Sequence, residues 1–173
     1  DLIKIAKDSG ADYAKFQKRS NKELLSDEQY NAPHPNPINS YGETYGEHRE
    51  RLEFDLNSHK KLKDYCESIN IGYATSVWDM TSAKEIASIS PDYIKIPSAM
   101  NNNLDLLKFL IDDYKGDVHL SFGMTYDSEI KTIFSLFESK KALSRLVIYS
   151  CTSGYPVPAR DVCLLEITKL IFL

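Results

Sequence analysis

Five short, largely apolar runs alternate along the chain with stretches whose apolar residues recur every three to four positions, and this alternation leaves few folds open. The runs are 12–17, 72–76, 93–97, 118–122 and 145–151. Runs of four to seven such residues read as strands buried on both sides. The intervening stretches read as helices. One carries Leu62, Tyr65, Cys66 and Ile69, another Leu106, Leu107, Leu110 and Ile111, a third Ile130, Ile133, Phe134 and Phe137. Asn57 or Ser58 is expected to cap the first of these, and Ser82-Ala-Lys-Glu85 has capping-box spacing. Residues 1–9 read as a helix tail with Gly10 at its C′ position, and a further helix is expected from about Asp161. Strands that alternate with helices form βαβ units and a parallel sheet. After the first unit, the strand-to-strand spacing of about 20–30 residues suits a β/α barrel or a doubly wound open sheet. No Gly-rich dinucleotide loop follows any run, which favours the barrel.

The remaining composition narrows the function. A net charge of −4 argues against a nucleic-acid binder working through a basic surface. No apolar run approaches the roughly 20 residues needed to cross a bilayer, so no membrane partner is expected. Cys66, Cys151 and Cys163 are too few and scattered for a disulfide framework and contain no Cys-x-x-Cys pair. They read as thiols in a reducing cytoplasm. His34, His48, His59 and His119 show no ligand spacing, so no metal site is assigned to them. The chain begins at Asp1 within a helix and ends at Leu173 in an apolar segment, which reads as a single incomplete domain over residues 1–173.

In a β/α barrel the chemistry sits at the C-terminal ends of the strands. The first run delivers Lys15 and Gln17 there, on one side of the strand, with Ala14 and Phe16 on the other. The second delivers Thr75 and Ser76, the third Lys95 and Ser98, the fourth Ser121, and the fifth Ser150, Thr152 and Ser153. An ammonium inside an apolar strand is costly unless something compensates it. Two lysines and a ring of hydroxyls at one barrel mouth suit a small, strongly anionic ligand, phosphate above all. The long polar stretch at 18–56 shows no regular helix and reads as a loop over that mouth. Its Tyr41, Tyr45, His48 and Arg49 are expected to pack over something, while Trp78, just beyond the second run, reads first as packing and second as the wall of a pocket.

Lys15-Phe-Gln17, Tyr41-Gly-Glu-Thr-Tyr-Gly-Glu-His48, Lys95-Ile-Pro-Ser98, Ser121-Phe-Gly-Met124 and Cys151-Thr-Ser-Gly-Tyr-Pro156 stand in an order and context that resembles the N-acetylneuraminate (sialic acid) synthase family. The resemblance covers essentially the whole chain. It implies a partial TIM-type (β/α)8 barrel, about strands two to six. It implies condensation of phosphoenolpyruvate with N-acetylmannosamine or a related acetamido sugar, with release of phosphate, in a cytoplasmic homodimer that uses Mn²⁺ or Mg²⁺. By motif, Lys15, Ser76, Lys95, Ser98 and Ser153 would hold phosphoenolpyruvate, and Gln17 and Tyr155 would contact the sugar. The family's catalytic glutamate would precede Asp1. Its metal-binding histidines and C-terminal antifreeze-like domain would follow Leu173, so the segment alone is expected to be inactive. Met100 stands where the family commonly carries an acidic residue. Two other readings of the same residues are a Schiff-base aldolase using Lys15 or Lys95, and a non-catalytic phosphosugar-binding barrel.

Overall fold

The computed structural model describes residues 1–171; Phe172 and Leu173, the end of the final apolar segment, lie outside the described residues. Five strands form one parallel sheet in the order β1-β2-β3-β4-β5: β1 (Tyr13–Lys18), β2 (Gly72–Val77), β3 (Tyr93–Ile96), β4 (Asp117–Phe122) and β5 (Leu146–Ser150). Each strand lies beside its predecessor, with no reversal of strand order. That removes the doubly wound alternative, whose order reverses at a switch point, and leaves the β/α barrel arrangement expected from the spacing.

Register decides which side chains share a side of the sheet. Gln17, Ser76, Lys95, His119 and Val147 form one row across all five strands. Lys15, Ala74, Tyr93 and Asp117 form the row beneath it. The residues between these, among them Tyr73, Thr75, Val77, Ile94, Ile96, Val118 and Leu120, point the other way and are almost completely buried. They pack on the helices α5 (Leu56–Ser68), α6 (Met80–Ser88), α7 (Leu104–Asp113) and α8 (Asp127–Ser139) through Cys66, Ile86, Leu106, Leu107, Leu110, Ile133 and Phe137. Each such aliphatic side chain contributes about 2 kcal/mol when fully buried. The core therefore lies wholly between sheet and helices, and the opposite side of the sheet carries the polar rows.

Several boundaries differ from the sequence reading. α1 (Leu2–Asp8) ends as expected, with Gly10 at φ +86. The cap of α5 is Asp55, whose carboxylate accepts from Ser58 N–H at 2.7 Å, rather than Asn57 or Ser58. α6 opens two residues before Ser82, on Asp79, because that carboxylate accepts from Ser82 N–H at 2.7 Å. The 18–56 stretch holds three short helices: α2 (Asn21–Leu24), α3 (Asp27–Asn31) and α4 (Tyr45–Leu52). Capping boxes Ser26/Gln29 and Thr44/Glu47 start α3 and α4. The last helix, α9 (Glu166–Ile171), begins five residues later than expected, after a 3₁₀ turn at Ala159–Asp161.

One core group makes stability depend on pH. His59 is completely buried, and its Nδ1 lies 2.7 Å from Tyr73 Oη. Thr75 Oγ1 lies 2.9 Å from that same oxygen, so the imidazole is tied to a buried pair of hydroxyls, while its Nε2 has no hydrogen-bond partner among the described residues. Burial, the largest cause, and then the nearby Lys18 charge push its pKa down to about 4 from 6.5. The unfolded chain therefore binds the proton first as pH falls. Stability is undiminished above 6.5 and is lost progressively between 6.5 and about 4, by about 3 kcal/mol in all. Urea midpoints of wild type and His59→Asn over pH 7 to 4 check this; parallel curves would contradict it.

Candidate functional site

A cleft of about 620 Å³ opens at the C-terminal ends of the strands, on the polar side of the sheet. Gln17, Ser76, Lys95, Ser98, Ser153 and Tyr155, six of the seven residues singled out from the sequence, line it. Lys15 does not. It stands on the same side in the row beneath, and its charge is felt at both Lys95 and His119. Burial first, and the Lys15 charge second, lower the Lys95 pKa. Among the described residues no carboxylate lies within ion-pair distance of Lys15 or Lys95. Lys18 shows the contrast: it faces the helices and pairs with Glu85 at 3.0 Å. The compensation that a partly desolvated strand lysine needs is thus built in at Lys18 and left to a guest at Lys95.

The hydroxyls are set by backbone geometry. Gly123, just past β4, donates its N–H to Ser98 Oγ at 3.1 Å, which leaves the Ser98 proton for the cleft. A Cβ on Gly123 would stand 2.8 Å from both Ser98 Oγ and Ser153 Oγ, so only glycine lets these two hydroxyls converge. Ser121 joins them. It is 2 % exposed, it lines the cleft, and its Oγ has no hydrogen-bond partner among the described residues. An orphaned buried hydroxyl costs free energy until it is satisfied. Its strand position was visible in the sequence, whereas its lack of a partner was not. Thr75 is corrected: it lies on the helix side, fully buried and bonded to Tyr73. Ser150 likewise stands outside the cleft.

Trp78 takes the second of its two sequence readings, and Ala99 adds a wall the sequence did not suggest. Trp78 lines the cleft rather than merely packing, and its Nε1–H donates to Gln17 Oε1 at 3.1 Å. That bond occupies the Gln17 carbonyl and leaves its NH₂ to donate elsewhere. Tyr155 is wholly exposed at the rim. Met100 packs against the core, and Ala99 takes the wall position beside Ser98.

The 18–56 segment does not line this cleft. Its aromatics pack on each other: His48 stacks on Tyr41 with centroids 5.7 Å apart and meets His34 at a tilt of 50° with centroids 4.2 Å apart, and Arg49 donates to Tyr45 Oη at 2.8 Å. The segment lines a separate cleft of about 500 Å³, where Arg19 pairs with Glu53 and Lys18 with Glu85. Among the described residues no group of three or more His, Cys, Asp or Glu side chains comes together to hold a metal ion, so no ligand is assigned. No described helix is long and apolar enough to cross a membrane.

A family model described as the NeuB family matches residues 2–171. The chain is 31% identical over 170 residues to the N,N'-diacetyllegionaminic acid synthase of Campylobacter jejuni, covering 98% of this chain and 51% of that protein. It is 30% identical over 173 residues to the N-acetylneuraminate-9-phosphate synthase of Homo sapiens, covering 97% and 46%. The solved N-acetylneuraminic acid synthetase of Leptospira borgpetersenii superposes with a TM-score of 0.79 at 26% identity, over 98% of this chain and 53% of that one. The chain thus spans about half the length of the relatives it matches.

Proposed function

We propose, from the premise that the chain belongs to the NeuB family, that its cleft binds phosphoenolpyruvate in a synthase that joins this substrate to an acetamido sugar and releases phosphate. The observation that carries the reading is Lys95, an ammonium held without a carboxylate partner amid the hydroxyls of Ser76, Ser98, Ser121 and Ser153. Phosphoenolpyruvate brings a phosphate and a carboxylate, and this set offers charge and protons to both. Lys15 supplies a second positive charge from beneath. Gln17, fixed by Trp78, and Tyr155 at the rim are assigned to the sugar. The five strands are read as strands two to six of an eight-stranded barrel in a cytoplasmic homodimer.

These residues do three things in the reaction. They concentrate the anion at the strand ends, hold its phosphate while the carbon–oxygen bond breaks, and keep the enol carbon facing the sugar side of the cleft. The hydroxyls of Ser98, Ser121 and Ser153 can each donate to the phosphate oxygens as charge builds on the departing group. Mn²⁺ or Mg²⁺ would supply activation of the sugar carbonyl when bound. No described residue is assigned to hold it.

The test is phosphate release by the full-length protein, supplied with Mn²⁺ or Mg²⁺. Release requiring both phosphoenolpyruvate and an acetamido sugar is expected. No release with any of N-acetylmannosamine, its 6-phosphate or a diacetamido sugar would overturn the reading. The lowered Lys95 pKa favours one competitor, the Schiff-base aldolase. Borohydride trapping of a substrate adduct on Lys95 would identify it; the synthase leaves no adduct.

A further inference from the structure

We propose that Tyr149 and His119 are positioning residues that hold the Lys95 ammonium toward the anion without neutralising it. This rests on the reading of the cleft as a phosphoenolpyruvate site. Neither residue lines the cleft, and neither belongs to the motifs that brought the family to view.

The Lys95 ammonium lies 5.9 Å from the centroid of the Tyr149 ring. A cation above an aromatic face is attracted by the ring quadrupole yet keeps its full charge. A carboxylate in that place would attract more strongly, but it would cancel the charge an anionic guest needs. The ring therefore stabilises a partly desolvated ammonium and leaves it available.

A ring does this only while its face stays turned to the cation, and three contacts hold it. The Tyr149 hydroxyl bonds His119 Nδ1 at 2.8 Å. His119, the register partner of Lys95 on β4, stacks on Tyr93 with centroids 3.7 Å apart and planes 8° apart. Tyr93 in turn meets Tyr13 edge-on at 5.2 Å. Aromatic rings thus climb one register row per contact, from Tyr13 on β1 through Tyr93 and His119 to Tyr149 on β5, level with Ser121, and end on the ring that faces Lys95. The charged groups around His119 are Asp117, Lys15 and Lys95, and burial keeps its imidazole neutral at neutral pH. A neutral His119 adds no positive charge to compete with Lys95 for the tyrosine face.

Steady-state kinetics of the full-length protein test the proposal. Tyr149→Leu removes the face and is expected to raise KM for phosphoenolpyruvate about five- to tenfold. Its kcat and its KM for the sugar should stay within about twofold of wild type. Tyr149→Phe keeps the face but loses the bond to His119 that holds it, so it should recover only part of the loss, with KM raised about two- to threefold. His119→Leu should resemble Tyr149→Phe, and His119→Leu combined with Tyr149→Leu should be no worse than Tyr149→Leu alone, because His119 acts through the ring. Additive losses, or equal changes in both KM values, would overturn the proposal, as would an unchanged KM in Tyr149→Leu. Should Tyr149→Leu fold poorly, His119→Leu and Tyr149→Phe decide it: unaltered KM for phosphoenolpyruvate in both, with Lys95→Met still impaired, overturns it. A wild-type enzyme that binds no phosphoenolpyruvate in a calorimeter would overturn the cleft assignment and this inference together. Wild-type binding with unaffected variants overturns this inference alone.

Discussion

Lys95→Met is expected to weaken phosphoenolpyruvate binding about 100-fold while leaving the melting temperature no lower than that of wild type. The two halves come from one cause. Methionine keeps the stem of the side chain and removes a charge that the fold partly desolvates and sets near Lys15. Losing that charge relieves the empty protein. It deprives the bound anion of its principal cation, whose charge-assisted bonds are worth about 1.5–3 kcal/mol, and about 2.7 kcal/mol corresponds to 100-fold. The sign of the pH dependence follows. Only the protonated amine attracts the anion, so wild-type affinity is held near neutral pH, where the guest's phosphate is ionised, and falls as pH rises through the lowered Lys95 pKa, earlier than for an ordinary lysine. Calorimetric titration with phosphoenolpyruvate at several pH values, beside melts of both proteins, reads all of this. A variant that binds as tightly as wild type, or that melts well below it, would refute the assignment.

Asp79→Ala is expected to cost about 3 kcal/mol, a fall of about 10 °C in Tm for a chain of this size. The Asp79 carboxylate is nearly completely buried. It accepts from Ser82 N–H at 2.7 Å, from the Ser82 hydroxyl at 2.8 Å and from Ser20 N–H at 2.7 Å. The first bond caps α6, and the third fastens the segment that leaves β1. Alanine leaves two buried donors and a half-buried one without an acceptor. Asn keeps the oxygen that caps α6 but puts an NH₂ where both remaining donors met Oδ2; the Ser82 hydroxyl can turn to accept from it, and only Ser20 N–H is left without an acceptor, so Asp79→Asn should lose roughly half as much. Near-equal melting of wild type and both variants would show that the carboxylate does not carry this connection.

The fold was readable because strands and helices differ in period, and the site because strand ends deliver it. Alternation along β1 already separated Lys15 and Gln17 from Ala14 and Phe16, as the register bears out. Position along a strand is a local property, but which side a strand end presents is not. Thr75 and Ser76 are adjacent and chemically alike, yet one bonds Tyr73 in the core and the other faces the cleft. The helices α3 and α4 went unseen for a related reason. Their capping boxes precede polar turns rather than an apolar run, so the usual second half of the signal is missing. Contacts between distant segments left no local mark at all: Trp78 on Gln17, the isolation of Ser121, and the Tyr149 ring against Lys95.

The placement of Lys95 between Ile94 and Ile96 has a consequence for how the sheet assembles. Sliding β3 by a single residue would thrust the ammonium into hydrocarbon and bring two isoleucines out among the hydroxyls. Misthreaded versions of the sheet are therefore penalised twice, and the group that recognises the guest also proofreads the alignment of its own strand.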